Sequence, residues 1–274
     1  MKVQWVVIMP SPIDKETYQR ATHDLPNIDA LKRQIAFLSP EFISVKFKSD
    51  SNFPVAAVCF QDASRTLSES RYALLEAMAH KIWYLEKVTP KDEDNAVFFT
   101  RFYSDDAALR LYSAAEHLAK AVVFIFDIHD SKLKQTRTGS RFTSVRKFLR
   151  EAHPDHIITK NLDELYRSRE WKTTIKYRDD WVHNQPPIIA GTGMVFERKS
   201  RWFISGNVSK MGLGAGDSPK YSVDDLLGFV KPALFQFTEK LTHIVEFYVA
   251  ELEKKGITMT ANGMQVSILK SKAG

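Results

Sequence analysis

From Ser64 to Leu85 the residues Leu67, Leu74, Leu75, Met78, Ile82 and Leu85 recur every three or four positions, until Thr89 and Pro90 stop the pattern. That period belongs to one face of an α-helix and commits the middle of the chain to helical packing. A second stretch, about Asp94 to Ile128, carries Phe98, Phe102, Leu109, Tyr112, Leu118 and Val122 among many other apolar residues. The helix it predicts is buried on most sides and forms the centre of a bundle.

Further helices follow. One is predicted to start after Ser140 as N-cap, to bury Phe142, Val145, Phe148 and Leu149, and to end before Pro154. A fourth is predicted from about Asn161 to His183, closed by Asn184, Gln185, Pro186 and Pro187, since proline lacks the N–H and pushes its predecessor out of the α region. The last opens with Ser222, Val223, Asp224 and Asp225, a capping-box pattern, and runs to Lys255 with Gly256 beyond it. Pro232 is expected to kink it.

The remaining segments predict small β additions. Val3 to Met9, Glu41 to Phe47 and Phe53 to Phe60 are rich in Val, Ile and Phe and read as strands, with a helix over Asn27 to Leu38 between them. Met194 to Phe196 and Trp202 to Ile204 suggest a hairpin turning at Arg198 and Lys199. Asn262 and Gly263 suggest another, in which Ile257 faces Ile268 and Met259 faces Val266. The expected architecture is therefore mainly α: an α/β piece over 1–62, a bundle of four to five helices over 63–256 with a hairpin near 193–205, and a hairpin tail over 257–274.

Composition closes off other classes. Of the 274 residues 44% are hydrophobic and 26% charged, as in soluble globular proteins. Cys59 is the lone cysteine, which excludes an internal disulfide and a cysteine-based zinc site and fits a reducing cytoplasm. No stretch reads as a signal peptide or a membrane span, so the expected location is cytoplasmic.

Chemistry concentrates at Tyr177, Arg178, Asp179, Asp180, Trp181, Val182 and His183. Arg178 followed five positions later by His183, late in a helical bundle, resembles the R-x4-6-H signature of HEPN domains. The family's long second helix often carries an Ala-Glu-x-x-x-Lys stretch similar to Ala115, Glu116 and Lys120 here. The resemblance covers roughly 64–255. It implies a helical bundle that pairs into a homodimer, RNA as substrate, and an antitoxin or nucleotidyltransferase-type protein as a further partner. Where the family commonly has Asn after the Arg, this chain has Asp179. Many such proteins are endoribonucleases that need no metal, and neither metal nor cofactor is expected here.

The residue types suit that chemistry. An imidazole titrates near neutral pH and can move the proton of an RNA 2′-OH, while a guanidinium matches phosphate oxygens and stabilises developing charge. His183 is thus the expected acid/base and Arg178 the phosphate clamp. Asp179, four residues before His183, is expected to orient its ring. At about 100° per residue, five positions place Arg178 and His183 about 140° apart around an ideal helix. Their meeting therefore predicts either an unwound helix end or a site shared by two chains.

Seven basic residues, Lys132, Lys134, Arg137, Arg141, Arg146, Lys147 and Arg150, fall in one stretch with no acidic one, whereas the whole chain is only +6. Such a segment can hold RNA phosphates without reading sequence. Weaker candidates are His153 with His156, which lack further metal ligands, and Glu116 with Lys120, at ion-pair spacing. The glycines at 212, 214 and 216 lack the Lys-Ser/Thr of a phosphate loop. The expected activity is cleavage of RNA to a 2′,3′-cyclic phosphate. The alternative is a non-catalytic module that holds RNA, a nucleotide or a protein partner.

Overall fold

The computed structural model describes residues 13–36, 52–134, 139–183, 187–191, 201–205, 208–212, 219–254, 257–260 and 263–266. Its helices are α1 (Lys15–His23), α2 (Asp29–Ala36), α3 (Ala56–Ile82), α4 (Glu93–Ile125), α5 (Arg141–Ala152), α6 (Ile157–Arg167), α7 (Arg169–His183) and α8 (Val223–Lys254). Two antiparallel strand pairs complete it, β1 (Arg201–Ser205) with β2 (Val208–Gly212) and β3 (Ile257–Thr260) with β4 (Gly263–Val266). The fold is a mainly helical bundle.

The long helices α3 and α4 form its spine. Their buried faces are rich in alanine, with Ala63, Ala73, Ala77, Ala107, Ala108 and Ala114 each at most 2% exposed, so the two backbones pack closely. Two side-chain hydroxyls cross that seam: Ser70 donates to the Ala107 carbonyl at 2.8 Å and Thr100 to that of Ala77 at 3.3 Å. Each satisfies a buried polar group that would otherwise cost about 1–3 kcal/mol. α8 lays Leu234, Phe237, Leu241 and Tyr248 into the same core. Tyr248 stacks near Phe53 and Phe60 and donates its hydroxyl to the Phe53 carbonyl at 3.0 Å, fixing the turn that leads into α3.

Capping follows the sequence where a polar residue opens a helix. The Ser140 hydroxyl accepts from the Thr143 N–H at 3.3 Å. At α8 the box is reciprocal: the Ser222 hydroxyl accepts from the Asp225 N–H at 3.1 Å, and Asp225 accepts from the Ser222 N–H at 2.8 Å. The helix then continues through Pro232.

Several expectations are corrected. Phe53 to Phe60 is no strand but a 3-10 turn, Phe53–Val55, running into α3. The helix predicted over Asn161 to His183 is two helices, because the Ser168 hydroxyl accepts from the Trp171 N–H at 3.1 Å and starts a new one. Phe98 and Phe102 are not buried; each is 58% exposed. Trp202 to Ile204 pairs with Val208–Gly212, not with Met194 to Phe196, and 192–200 lie outside the described residues. In the tail Ile257 pairs with Val266, two residues away from the expected register. The segments Val3 to Met9 and Glu41 to Phe47 also lie outside the described residues. Among the described residues no helix is long and apolar enough to cross a membrane.

Glu116 does not pair with Lys120. Its carboxylate accepts from the Ser140 hydroxyl at 2.7 Å and from the N–H groups of Arg141 at 2.9 Å and Phe142 at 3.3 Å, so α4 caps α5 with a negative charge at its positive end. Glu116→Ala is expected to lower the unfolding free energy by about 2 kcal/mol in denaturant titrations. A loss below about 0.5 kcal/mol would show that this carboxylate does not tie the two helices together.

Candidate functional site

The site starts from the way α7 is held. Trp171, Thr174 and Tyr177, three residues apart, form its buried face. Thr174 donates to the Phe229 carbonyl at 3.1 Å, and the Tyr177 ring packs between Tyr221 and Phe229. The Tyr177 hydroxyl donates to Asp105 of α4, and the Trp181 side chain bonds the same carboxylate. Burial raises the Asp105 pKa above the usual range, while the bonds from Tyr177 and Trp181 and the charge of Arg101 act against it. Burial and the Asp105 carboxylate together push the Tyr177 hydroxyl far above its ordinary value.

Arg178 follows Tyr177 and so leaves α7 on the next flank. Its guanidinium lies over the Tyr112 ring of α4, 3.9 Å from the centroid. Its Nη1 donates to Asp179 Oδ1 at 2.9 Å and stands 3.4 Å from His183 Nε2. Nε is buried with no hydrogen-bond partner. Because a guanidinium only donates, the contact with His183 needs Nε2 as acceptor and the ring proton on Nδ1. His183 is exposed, at the end of α7.

Two expectations change here. The helix stays intact to His183, and Arg178 reaches His183 within one chain, so the offset around the helix requires neither unwinding nor a second subunit. Asp179 holds Arg178, not the His183 ring.

A cleft of about 440 Å³ opens beside this pair, with Tyr112 and Asp179 in its lining. Tyr112 has a raised pKa, chiefly from burial and secondly from Glu116; a hydrogen bond with Ser140 and the charge of Arg178 work the other way. Of the predicted basic residues, Lys147 lines this cleft. Lys132 is exposed, away from the cleft lining. Lys134 pairs with Glu151 at 3.1 Å, and Arg141 lines a separate hollow with Lys120 and Asp130. Arg146 of the basic stretch faces inward. It is 4% exposed, bonds Asp163 at 2.7 Å and lies 3.8 Å from the Tyr166 ring centroid. Arg150 reaches the same Asp163 at 3.4 Å, and Arg137 lies outside the described residues. The segment does not form one positive face.

His156 caps α6, its Nδ1 accepting from the Ile158 N–H at 3.2 Å, and His153 packs on Phe126. Among the described residues no group of three His, Cys, Asp or Glu side chains is placed to hold a metal ion. Cys59 is buried and free, with a thiol pKa raised by burial.

Against known families, residues 59–208 match the Cthe2314-like HEPN family, more than half of the chain and including the whole Arg178–His183 segment. The chain belongs to that HEPN family. No curated protein and no solved structure matches it. The HEPN match runs from within α3 to the start of β2, so α1, α2 and α8 stand outside it although α8 completes the core. Lys147 is the one cleft lysine the sequence marks; Tyr112, Asp105, Lys172 and Lys176 carry no local signal as site residues. Their role arises where four helices converge, and no local motif announces it.

Asp105 gives this HEPN site a pH signature. A carboxyl whose folded pKa is raised contributes stability that is complete below its unfolded value, near 3.8, and is lost as pH rises through the folded value. Asp105→Asn removes that titration. Its unfolding free energy is therefore expected to rise relative to wild type as pH increases above 3.8. Parallel pH profiles of the two proteins would contradict this assignment.

Proposed function

We propose that this HEPN protein is an endoribonuclease that cleaves RNA by attack of a 2′-OH on the adjacent phosphate. The 3.4 Å contact between Arg178 Nη1 and His183 Nε2 at the exposed end of α7 supports the reading, because a guanidinium suits charge stabilisation and an imidazole suits proton transfer. His183 Nε2 takes the 2′-OH proton as the new O–P bond forms. Arg178 leaves His183 for the non-bridging phosphate oxygens, whose charge rises at that moment. The bond to the 5′-oxygen then breaks as His183 hands that oxygen the proton it took, and a 2′,3′-cyclic phosphate remains. Asp179 and the Tyr112 ring hold the guanidinium in place.

A second reading, a non-catalytic module that binds RNA, a nucleotide or a protein, is favoured by one observation: Asp179 already engages Arg178 and offsets its charge. Family membership supports pairing of two bundles, and α7 would lie near the join.

Incubation with total RNA in EDTA separates these readings. Wild type is expected to cleave, and His183→Ala and Arg178→Ala are each expected to lose at least about a hundredfold in rate. Binding without cleavage would favour the module. If two chains share the site, activity per chain falls on dilution below the dimer dissociation constant; constant activity in a demonstrated monomer assigns the site to one chain.

A further inference from the structure

The first helix, which lies outside the HEPN match, is laid across the spine over a buried histidine. Tyr18 of α1 donates to the two carboxylate oxygens of Glu76 at 2.9 and 3.2 Å. Further along, Arg20 pairs with Glu86, and Glu16 with Lys87 at 3.3 Å. These contacts bracket His80, which follows Glu76 by one turn of α3. Thr17 and Ala21, on the inward face of α1, are at most 1% exposed, and His80 is 5% exposed.

The surroundings suit a neutral imidazole. Its ring is stacked with those of Phe99, Tyr103 and Tyr84, at centroid distances of 4.5, 5.3 and 5.9 Å. Nδ1 is buried with no hydrogen-bond partner among the described residues. Nε2 stands 3.6 Å from Glu76, beyond hydrogen-bond range, and that carboxylate is already taken by Tyr18 and by a bond with Tyr72. The ionisable groups around His80 are thus Glu76 and Tyr72 of α3, Tyr18 of α1, Tyr103 of α4 and Tyr84 of the π turn Trp83–Lys87, with Asp92 beyond Tyr84. Burial holds Tyr18, Tyr84 and Tyr103 protonated, and the bond to Glu76 does the same for Tyr72. Burial also lowers the His80 pKa, against the pull of Glu76. Protonation would add an N–H at a nitrogen that faces no acceptor, beneath a helix that keeps water away. That cost falls on the docked state alone, since lifting α1 returns the ring to water.

We infer that α1 is an acid-sensitive clasp, closed over His80 while that ring is neutral and released when it gains a proton. With the docked value below the free one of 6.5, docking is at full strength above pH 6.5 and weakens as pH falls through the docked value. His23, exposed at the end of α1 beside Asp24, works the other way, because a positive charge favours a helix C-terminus. Release would free a helix that the HEPN match does not include, while the contacts of α4 with α7 stay in place. The clasp is independent of the nuclease reading.

Amide hydrogen exchange of the full chain tests it, with protection expressed relative to the intrinsic exchange rate at each pH. Between about pH 7.5 and about pH 5, a window above the ordinary carboxylate range, protection of α1 is expected to fall at least about fivefold. That of α5 and α7 is expected to change less than about twofold, because the opening is local. His80→Phe keeps the stacked ring and removes the titration, so its α1 protection is expected to stay flat; a melting curve matching wild type at the upper pH checks that it folds. The imidazole resonances of wild type give a reading that needs no variant: the His80 ring is expected to titrate below 6.5, in step with the loss of α1 protection. Titration at or above 6.5 overturns the clasp. So does constant protection of α1 in wild type, an equal fall in α5 and α7, or a fall in His80→Phe as large as that of wild type.

Discussion

A buried carboxylate on the central helix sets the geometry of everything around it. Asp105 accepts from Tyr177 and bonds Trp181, so two residues of α7 a full turn apart are tied to one point on α4. Tyr112 and Glu116 follow at seven and eleven residues, which returns them to within about 20° of the same stripe. Tyr112 lies under Arg178, and Glu116 holds the start of α5. One stripe of α4 thus fixes the angle of α7, the position of the guanidinium and the far wall of the cleft. Burying most of Asp105 costs desolvation, and that cost is what makes its partners hard to replace: remove either donor and a carboxylate with only 12% of its side chain exposed loses compensation.

Charge is distributed by the same logic. The basic stretch in the sequence separates into residues with acidic partners and residues without. Asp163 gathers Arg146, Arg150 and Arg167, and Glu151 takes Lys134. Those cations serve the join between α5 and α6 or a solvated surface, where their contribution is small. Lys147 of α5 meets Lys172 and Lys176 of α7 at the cleft lining, without an ion-pair partner among the described residues. A patch made by folding therefore replaces the one visible in the chain.

Local physics made much of the bundle legible. Helical spacing marked α3 and α4, and the Ser140 and Ser222 caps marked α5 and α8, because capping is decided within four residues. Errors arose where local signals were ambiguous. Phe53 to Phe60 is apolar enough for a strand, yet Ala56, Phe60, Ala63 and Leu67 continue at helical spacing into α3. The break at Ser168 has no proline or glycine, only a serine able to cap. The exposed pair Phe98 and Phe102 shows the opposite limit: aromatic residues on a buried helix need not be buried themselves. The motif was readable as Arg178 and His183, but the aromatic ring beneath it and the lysines beside it depend on which helices meet.

The in-chain meeting of Arg178 and His183 follows from side-chain reach rather than from helix phase. Five residues advance α7 by about 7.5 Å and rotate it by about 140°. An arginine is long enough to span that distance along the surface, and its planar head can do three things at once: lie flat on Tyr112, donate sideways to Asp179 and point a remaining N–H at His183. A lysine in the same place would bring a compact charge without a flat face or a fork, and could satisfy at most part of this set. The requirement for arginine is therefore built into the free protein, before RNA is considered. The arrangement also explains why a carboxylate can follow the arginine: Asp179 acts as a stay that keeps the guanidinium turned toward the end of α7, with Nη1 facing His183 Nε2.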